Sequence, residues 1–177
     1  MNLFVDTSNK YILLSLFDEE VHDYKIIEAN RNQAEIFVPS LNTFLHENNQ
    51  SIETIDHFYF TKGPGSFTGV RVGLTYAKAL KVSGYNNIHT INTLYTLLDS
   101  IENAQSIIDA RGQKYYYQSV IDGVFQQPQL IAYDQVDLDK VNTYENTLQQ
   151  IPSNLVELVN NHLYDDDLDI LYIKEAF

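Results

Sequence analysis

The segment 62–73 is the part of this sequence whose residue types most directly suggest chemistry. It contains four of the chain's seven glycines and lies between an apolar run and a stretch with apolar residues at helical spacing. Glycines concentrate where a backbone must turn with positive φ or approach another group closely, and Pro64 fixes one φ within the same turn. The segment therefore predicts a tight turn followed by a helix, which Ser66 or Thr68 can cap.

Two common phosphate-binding loops do not fit this spacing. A Walker A loop requires Gly-Lys-Ser/Thr from the fifth position after its first glycine, but Thr68 stands five after Gly63, and Gly69 is followed by Val70. A dinucleotide fingerprint requires Gly-x-Gly-x-x-Gly, whereas the next glycine after Gly65 is Gly69. Two interpretations remain. Either the helix start offers N–H groups to an anion or to a partner's polar chain, or the glycines only permit close packing.

A second candidate site is the polar turn Asp6-Thr7-Ser8, which directly follows an apolar run. A carboxylate beside two hydroxyls can hold a magnesium-bound phosphate. Alternatively, the same side chains bond the backbone of their own turn. For Asp109 and Arg111 we favour a structural pair or a hairpin cap over catalysis, and the acidic run 165–167 is typical of a solvated turn.

The histidines lack the spacing of a helical metal site. They are His22, His46, His57, His89 and His162. No two are separated by three to five residues, so a His-x-x-x-His pair is impossible. We expect no metal bound by this chain, although a site assembled from distant histidines and aspartates remains open.

Composition excludes several classes of function. The formal charge is −13 and no Lys/Arg cluster occurs, which disfavours direct binding of RNA or DNA. The chain has no cysteine, which excludes disulfides and thiolate sites and fits a reducing compartment. Its first residues contain neither a basic region nor a long apolar segment, so we expect a cytoplasmic protein without a membrane partner.

Short apolar runs alternate with stretches of helical periodicity along the chain. This pattern predicts strands at 3–5, 11–17, 21–28, 58–61, 88–91, 106–110, 114–120, 130–133 and 168–173, and helices at 32–47, 67–82, 94–101 and 152–162. Pro39 predicts a kink in the first helix, and Asn32 with Glu35 has the form of a capping pair. Strands alternating with helices, with hairpins, indicate α/β lobes with mixed sheets.

Four patches of this sequence form a recognisable combination. They are Asp6-Thr7-Ser8, the segment 63–73 with Ala77-Lys78, Asp109-Ala110-Arg111 with Tyr116 beyond it, and Tyr172-Ile173-Lys174. In combination they resemble the TsaB (YeaZ) family of tRNA threonylcarbamoyladenosine biosynthesis. The glycine-rich patch is the most specific, and together the patches span most of the chain in the expected order.

The resemblance implies an actin-like, sugar-kinase-like (ASKHA) fold with two lobes, each carrying a mixed sheet and flanking helices. We place an N-terminal lobe with partner-binding helices at 1–90 and a shortened C-terminal lobe at 91–177. The implied function is that of a non-catalytic subunit. It binds and activates TsaD, the relative that transfers the threonylcarbamoyl group to adenosine in tRNAs reading codons that start with A.

The resemblance also implies partners. These are TsaD in a heterodimer, TsaE as a third component, a second copy of the chain when alone, and tRNA only through the complex. No catalytic residue is assigned to this chain. The implied partner interface lies on the helices at 32–47 and 67–82, with Ile36, Phe37, Ser66, Phe67, Thr68, Gly69, Val70, Arg71, Gly73 and Leu74 as its candidate residues.

This sequence departs from the family pattern at several positions. Position 33 is Gln where many members have His, and Lys62 and Lys174 stand where Arg is common. No glycine follows Gly123, so the turn with which the second lobe approaches a nucleotide in this fold is missing. We therefore assign Asp6, Thr7 and Ser8 only as a weak nucleotide site, with ATP or ADP and magnesium bound in the complex. The alternative function is a small actin-like ATPase or phosphotransferase using Asp6.

Overall fold

The computed structural model describes residues 1–30 and 32–173. Five strands form the first sheet, in the order β3-β2-β1-β4-β5. Strand β1 is antiparallel to β2 and parallel to β4, while β2 pairs antiparallel with β3 and β4 pairs parallel with β5. The strands are β1 (Asn2–Asp6), β2 (Tyr11–Phe17), β3 (Val21–Glu28), β4 (His57–Thr61) and β5 (Ile88–Ile91).

Two helices cover one face of this sheet. Helix α1 (Gln33–Glu47) buries Phe37, Leu41 and Phe44, and helix α2 (Phe67–Val82) buries its inner face against the same core. Helix α1 is continuous through Pro39, and among the described residues the Asn32 side chain makes no capping bond. The predicted positions of both helices are confirmed, although the capping pair predicted for α1 does not form.

Helices from the second half of the chain cover the other face of the first sheet. Side chains of alternate strand residues point to opposite faces, so Phe4, Leu13 and Phe17 face away from α1 and α2. They pack with residues of two further helices, α3 (Thr93–Thr96) and α5 (Ile151–Asn160). The division at residues 90 and 91 stays a prediction, but residues of both halves pack together in the core on this second face of the first sheet.

The second sheet is smaller and lies in the second half of the chain. Its strands are β6 (Ala104–Arg111), β7 (Lys114–Ile121), β8 (Val124–Phe125) and β9 (Gln129–Ala132). Strand β7 pairs antiparallel with each of the other three, and the parallel component is a single bridge between Ser106 and Asn142. A one-turn helix, α4 (Tyr144–Thr147), follows the second sheet in the chain, and its Tyr144 packs against the first sheet.

Two predicted elements are wrong. The helix predicted at 94–101 is the single turn α3, because the carbonyls of Leu94 and Thr96, which a longer helix would use, accept from Ser106 Oγ at 2.7 Å and from Asn154 Nδ2 at 3.1 Å. The strand predicted at 168–173 does not form. In the described part of this segment one backbone bond reaches the body, from Leu171 N–H to the Lys62 carbonyl at 2.8 Å, because the segment meets the end of β4 and not its edge.

The glycine-rich segment packs directly on the turn between β1 and β2. Gly63 has φ +97°, which favours glycine. Ser66 N–H donates to the Ser8 carbonyl at 2.6 Å, and the Thr7 hydroxyl donates to the Gly69 carbonyl at 2.7 Å. A Cβ at position 69 would overlap the Thr7 carbonyl oxygen. The close-packing interpretation of these glycines is therefore confirmed at Gly69.

Residues 163–173 form an irregular segment, which we call the strap, that crosses the end of β4. Asp165 and Thr90 exchange backbone hydrogen bonds of 2.7 and 2.8 Å. The Lys62 ammonium forms ion pairs with Asp165 at 2.8 Å and Asp167 at 3.2 Å. The acidic run is thus only in part the solvated turn that the sequence suggested, since two of its carboxylates hold a lysine.

Asp166, which lies between these two aspartates, belongs to a cluster with His57 and His89. Asp166 accepts from His89 Nδ1 at 2.7 Å, and His89 Nε2 lies 3.1 Å from His57 Nδ1. The stacked Tyr59 ring supports both imidazoles, and burial raises the pKa of the Tyr59 phenol to about 12. Distant histidines and an aspartate therefore do meet, but within residues 1–30 and 32–173 no group of three or more such side chains is arranged to hold a metal.

Across the described residues, no helix combines the length and apolar character needed to span a bilayer.

Replacing Gly69 by Ala tests the contact between the glycine segment and the first turn. At an ordinary helix position this change stabilises by about 1 kcal/mol, because it restricts the unfolded chain. Here the added methyl group overlaps the Thr7 carbonyl oxygen. We expect the free energy of unfolding, measured by denaturant titration, to fall by about 1–3 kcal/mol. The exposed Lys78→Ala on the same helix is the control, and a stabilised Gly69→Ala protein would contradict the packing described.

The histidine cluster predicts a pH dependence of stability. Burial, followed by the charge of His89, lowers the pKa of His57 below its usual value of 6.5. The unfolded chain therefore takes up this proton more readily than the folded chain. Stability from neutral His57 is fully present above pH 6.5 and is lost as the pH falls through the lower folded-state value.

We expect the free energy of unfolding to decrease as the pH falls below 6.5, and to decrease less in His57→Gln. Denaturant titrations at several pH values above the range of carboxylate titration measure both slopes. Equal slopes in the two proteins would show that His57 is not the responsible group.

Candidate functional site

An apolar groove lies on the outer side of the first lobe, between α1 and α2. Its volume is about 530 Å³. On α2 the contributing positions recur at intervals of three and four residues, which is the spacing of one helix face. The lining residues are Ala34, Phe37, Val38, Phe67, Thr68, Arg71, Val72, Thr75, Tyr76 and Ala79.

Several apolar side chains of the groove are open to solvent. Phe67 is 59% exposed and Val38 is 39% exposed. The Arg71 guanidinium lies 4.8 Å from the centre of the Phe67 ring, in a cation–π contact. Exposed apolar surface collected in a groove, unlike scattered exposed residues, is typical of an interaction site.

The structure separates the predicted interface residues into two groups. Phe37, Phe67, Thr68 and Arg71 line the groove. The others have structural positions. Ser66 accepts the Gly69 N–H and caps α2. Ile36 packs on the core between the first sheet and helices α1 and α2, and Gly69, Val70, Gly73 and Leu74 are buried.

Val70 and Leu74 in particular face the sheet and are 2% and 3% exposed, so neither presents a surface to a partner in this conformation. They belong to the same sequence motif as Phe67 and Arg71 but to the opposite side of the helix. The sequence did contain a signal for the groove, namely a helix face with one residue every four positions: Phe67, Arg71, Thr75 and Ala79. The prediction from the glycine motif did not separate this face from the buried one.

A second concave surface separates the two sheets. This cleft has a volume of about 860 Å³ and begins at the turn after β1 and the first turn of α2. Its far side comes from β6, β7 and the segments that follow the second sheet. The residues that give it charge and aromatic character are Lys10, Tyr11, Phe67, Asp109, Arg111, Tyr115, Tyr116, Tyr133, Tyr144 and Glu145, of which Phe67 also lines the groove.

Asp6 lies beneath this cleft, fully buried, and its carboxylate is held by protein groups. Oδ1 accepts from Ser8 N–H at 2.7 Å and from the Thr61 hydroxyl at 2.8 Å. Oδ2 accepts from the Tyr144 hydroxyl at 3.0 Å and from Asn9 Nδ2 at 3.4 Å. Both carboxylate oxygens therefore hold the turn in place. This agrees with the structural interpretation of Asp6, in which its side chain bonds the backbone of its own turn.

Tyr144 connects the two halves of the chain at Asp6. Its hydroxyl donates to Asp6 and lies 2.7 Å from Ser8 Oγ, so Ser8 donates in turn to Tyr144. Burial, with the Asp6 charge, raises the pKa of Tyr144 well above its usual value. The sequence analysis missed this residue, although the Thr143 and Asn146 capping box that starts α4 was a detectable signal.

The remaining residues of the cited patches have structural contacts. Asp109 accepts from Arg111 N–H and from the Tyr133 hydroxyl, each at 2.7 Å, as a hairpin cap does. Gln33, which the sequence analysis gave as a departure from the family pattern, is also buried and donates to the Asn9 carbonyl at 2.6 Å. Lys174 lies outside the described residues.

Comparison with known proteins gives a consistent family. A family model described as "TsaD: tRNA N6-adenosine threonylcarbamoyltransferase" matches residues 27–151. An uncharacterized Mycoplasma pneumoniae protein, the MG208 homolog, is 31% identical over 98% of this chain and 94% of its own length. The tRNA threonylcarbamoyladenosine biosynthesis protein TsaB of Bacillus subtilis is 32% identical over 64% of this chain. That match covers 52% of the B. subtilis protein, so this chain spans about half the length of the TsaB relative.

The solved structures support the fold. A crystal structure of an uncharacterized protein with similarity to peptidase YeaZ from Pseudomonas aeruginosa superposes with a TM-score of 0.75. The superposition covers 98% of this chain and 100% of the other, at 16% sequence identity. The predicted actin-like, two-lobed α/β fold is therefore confirmed. The family model and the curated relatives show that this chain belongs to the TsaD-related family of tRNA threonylcarbamoyladenosine biosynthesis proteins, in its TsaB (YeaZ) group.

Proposed function

We propose that this chain is a non-catalytic subunit that binds and activates TsaD in the formation of threonylcarbamoyladenosine in tRNA. The observation that carries the proposal is the solvent-open apolar groove between α1 and α2 in a member of the TsaB group. An apolar groove between two helices accepts a helix of a partner protein. Phe67 and Arg71 are of residue types that are enriched at protein interfaces.

The Asp6 contacts support the non-catalytic part of the proposal. An acid, base or magnesium ligand needs an oxygen that a substrate or ion can reach. In this chain Asp6 is fully buried and holds Ser8, Thr61 and Tyr144. Catalysis then belongs to TsaD, and this chain contributes a binding surface.

The charge of the chain supports the remaining assignments. With a formal charge of −13, direct attraction to tRNA phosphates is weak, so tRNA contact goes through TsaD and TsaE in the complex. In the absence of TsaD, the same groove accepts a second copy of the chain. The proposed location is the cytoplasm, where tRNA is modified.

Truncating Phe67 tests the groove. The side chain is largely exposed, so Phe67→Ala leaves the fold intact, but it removes the aromatic anchor and the cation–π partner of Arg71. We expect the affinity for TsaD of the same organism to fall by a factor of about 30, corresponding to about 2 kcal/mol. Isothermal titration calorimetry measures the affinity, and circular dichroism checks the fold.

The matched control is Ile121→Ala, an exposed apolar residue of the second sheet that is 53% exposed. It should leave the affinity for TsaD unchanged. If the wild-type chain does not bind TsaD, with or without TsaE and nucleotide, the proposed function is wrong. If Phe67→Ala binds as wild type does, or if self-association and TsaD binding do not compete, the groove is not the shared surface.

The second candidate function is a small actin-like ATPase or phosphotransferase using Asp6, or a chain that holds ATP or ADP with magnesium within the complex. The cleft between the sheets favours it, because Lys10 and Arg111 line a space of about 860 Å³ beside the first turn of α2. A nucleotide in this cleft would lie above Asp6, with Thr7 and Ser8 in the turn below.

Replacing Asp6 by Asn separates the two functions. The amide group turns one acceptor into a donor that opposes the hydroxyl and N–H donors around it. For a structural Asp6 we expect the free energy of unfolding to fall by about 1–3 kcal/mol. The exposed Asp134→Asn is the control. Calorimetry with ATP and magnesium completes the test, since tight binding by the wild-type chain alone, lost in Asp6→Asn, would favour the enzyme.

A further inference from the structure

We propose that the strap positions the partner-binding face of α2, and that Lys62 is the positioning residue through which it acts. This inference rests on the proposed function, because the face in question is the groove offered to TsaD. It adds a second requirement for partner binding, located away from the groove. None of residues 163–173 lines the groove.

Lys62 stands at the junction of three segments. Its N–H donates to the Ile91 carbonyl at 2.9 Å, at the end of β5. Its carbonyl accepts from Leu171 N–H of the strap at 2.8 Å. The next residue, Gly63, begins the glycine-rich turn and accepts from Thr93 N–H at 2.8 Å. The root of the turn is thus fixed by β5 and α3 on one side and by the strap on the other.

The Lys62 side chain is enclosed and depends on the strap for its counter-charges. It is 11% exposed, whereas Asp165 and Asp167 are 55% and 50% exposed. Burial disfavours its ammonium, but the hydrogen bonds and charges of Asp165 and Asp167 outweigh burial and raise the pKa of Lys62. An enclosed charge that loses its partners must move toward water, which is a larger effect than the loss of a surface ion pair.

The strap also has its own attachments, so it can serve as a fixed support. Asp165 and Thr90 exchange backbone bonds, and the Thr90 hydroxyl donates to the Asp167 carbonyl at 2.9 Å. Leu168 and Ile170 pack against the core between the first sheet and helices α1 and α2. The carboxylates of Asp165 and Asp167 are therefore presented to Lys62 from a backbone that the sheet already holds.

A short stretch of backbone connects Lys62 to the groove. The turn 63–65 follows Lys62, and Ser66 then caps α2 by accepting the Gly69 N–H. Phe67, the most exposed aromatic residue of the groove, is the first residue of the helix. A shift at Lys62 moves the start of this turn, and because only residues 63–65 separate Lys62 from the Ser66 cap, it also moves the cap and Phe67.

The double variant Asp165→Asn with Asp167→Asn tests the inference. It removes both counter-charges at nearly constant side-chain volume. We expect amide hydrogen exchange at residues 63–70 to become about tenfold faster in the free chain, while exchange in β1 and β2 stays as in wild type. We expect affinity for TsaD to fall about three- to tenfold. Lys62→Arg, which keeps the charge, should retain wild-type values in both measurements.

One control variant and one fallback variant complete the design. Lys140→Met breaks the exposed ion pair with Asp137 and should change neither measurement. If the double variant does not fold, Asp167→Asn alone replaces it, since it removes the longer of the two ion pairs and keeps the pair with Asp165. Faster exchange at 63–70 is again expected, and unchanged exchange there overturns the inference.

Three results would each overturn the role of the strap. They are unchanged amide exchange at 63–70, an equal increase of exchange over the whole first sheet, and an unaltered affinity for TsaD despite faster exchange at 63–70. A wild-type chain that fails to bind TsaD overturns the proposed function instead. In that case the exchange measurement in the free chain still decides whether the strap positions α2.

Discussion

The contact between the Thr7 carbonyl and Gly69 is the constraint on which most of this structure depends. The first turn of α2 lies so close to the turn after β1 that position 69 has no room for a Cβ atom. This approach directs Ser66 to the Ser8 carbonyl and fixes where α2 begins. The same turn carries Asp6, whose bond to Tyr144 brings the second half of the chain onto the first sheet. One close approach of two backbones therefore sets both the outer groove and the inner junction of the halves.

The two concave surfaces have different physical characters because of this arrangement. The groove is built from one face of each helix and keeps apolar groups in water, at a cost that burial against a partner would recover. The cleft adds tyrosines and charged groups to an apolar lining, and the carboxylate beneath it is already bonded within the protein. A carboxylate saturated by protein donors stabilises a fold and has little remaining capacity for an ion.

Much of the first lobe could be predicted from the sequence, because its signals are local. The start of α2 follows from the glycines and Ser66, and the strands follow from their apolar runs. The parts that could not be predicted depend on distant contacts. Tyr144 is recognisable only beside Asp6, and the Lys62 pair with Asp167 joins residues 105 positions apart. The candidate site was predicted in part for a related reason: the motif identifies α2, but only the sheet beneath it separates inward Val70 and Leu74 from outward Phe67 and Arg71.

The sharing of one core by both halves has a consequence for synthesis of the chain. Phe4, Leu13, Phe17 and Tyr59 emerge from the ribosome early, whereas Leu155 and Leu158, which cover that face, are made about 100 residues later. Until then the nascent first sheet has one face closed by its own helices and one apolar face in water. Such an intermediate is prone to association and is a natural client for chaperones that bind apolar surface.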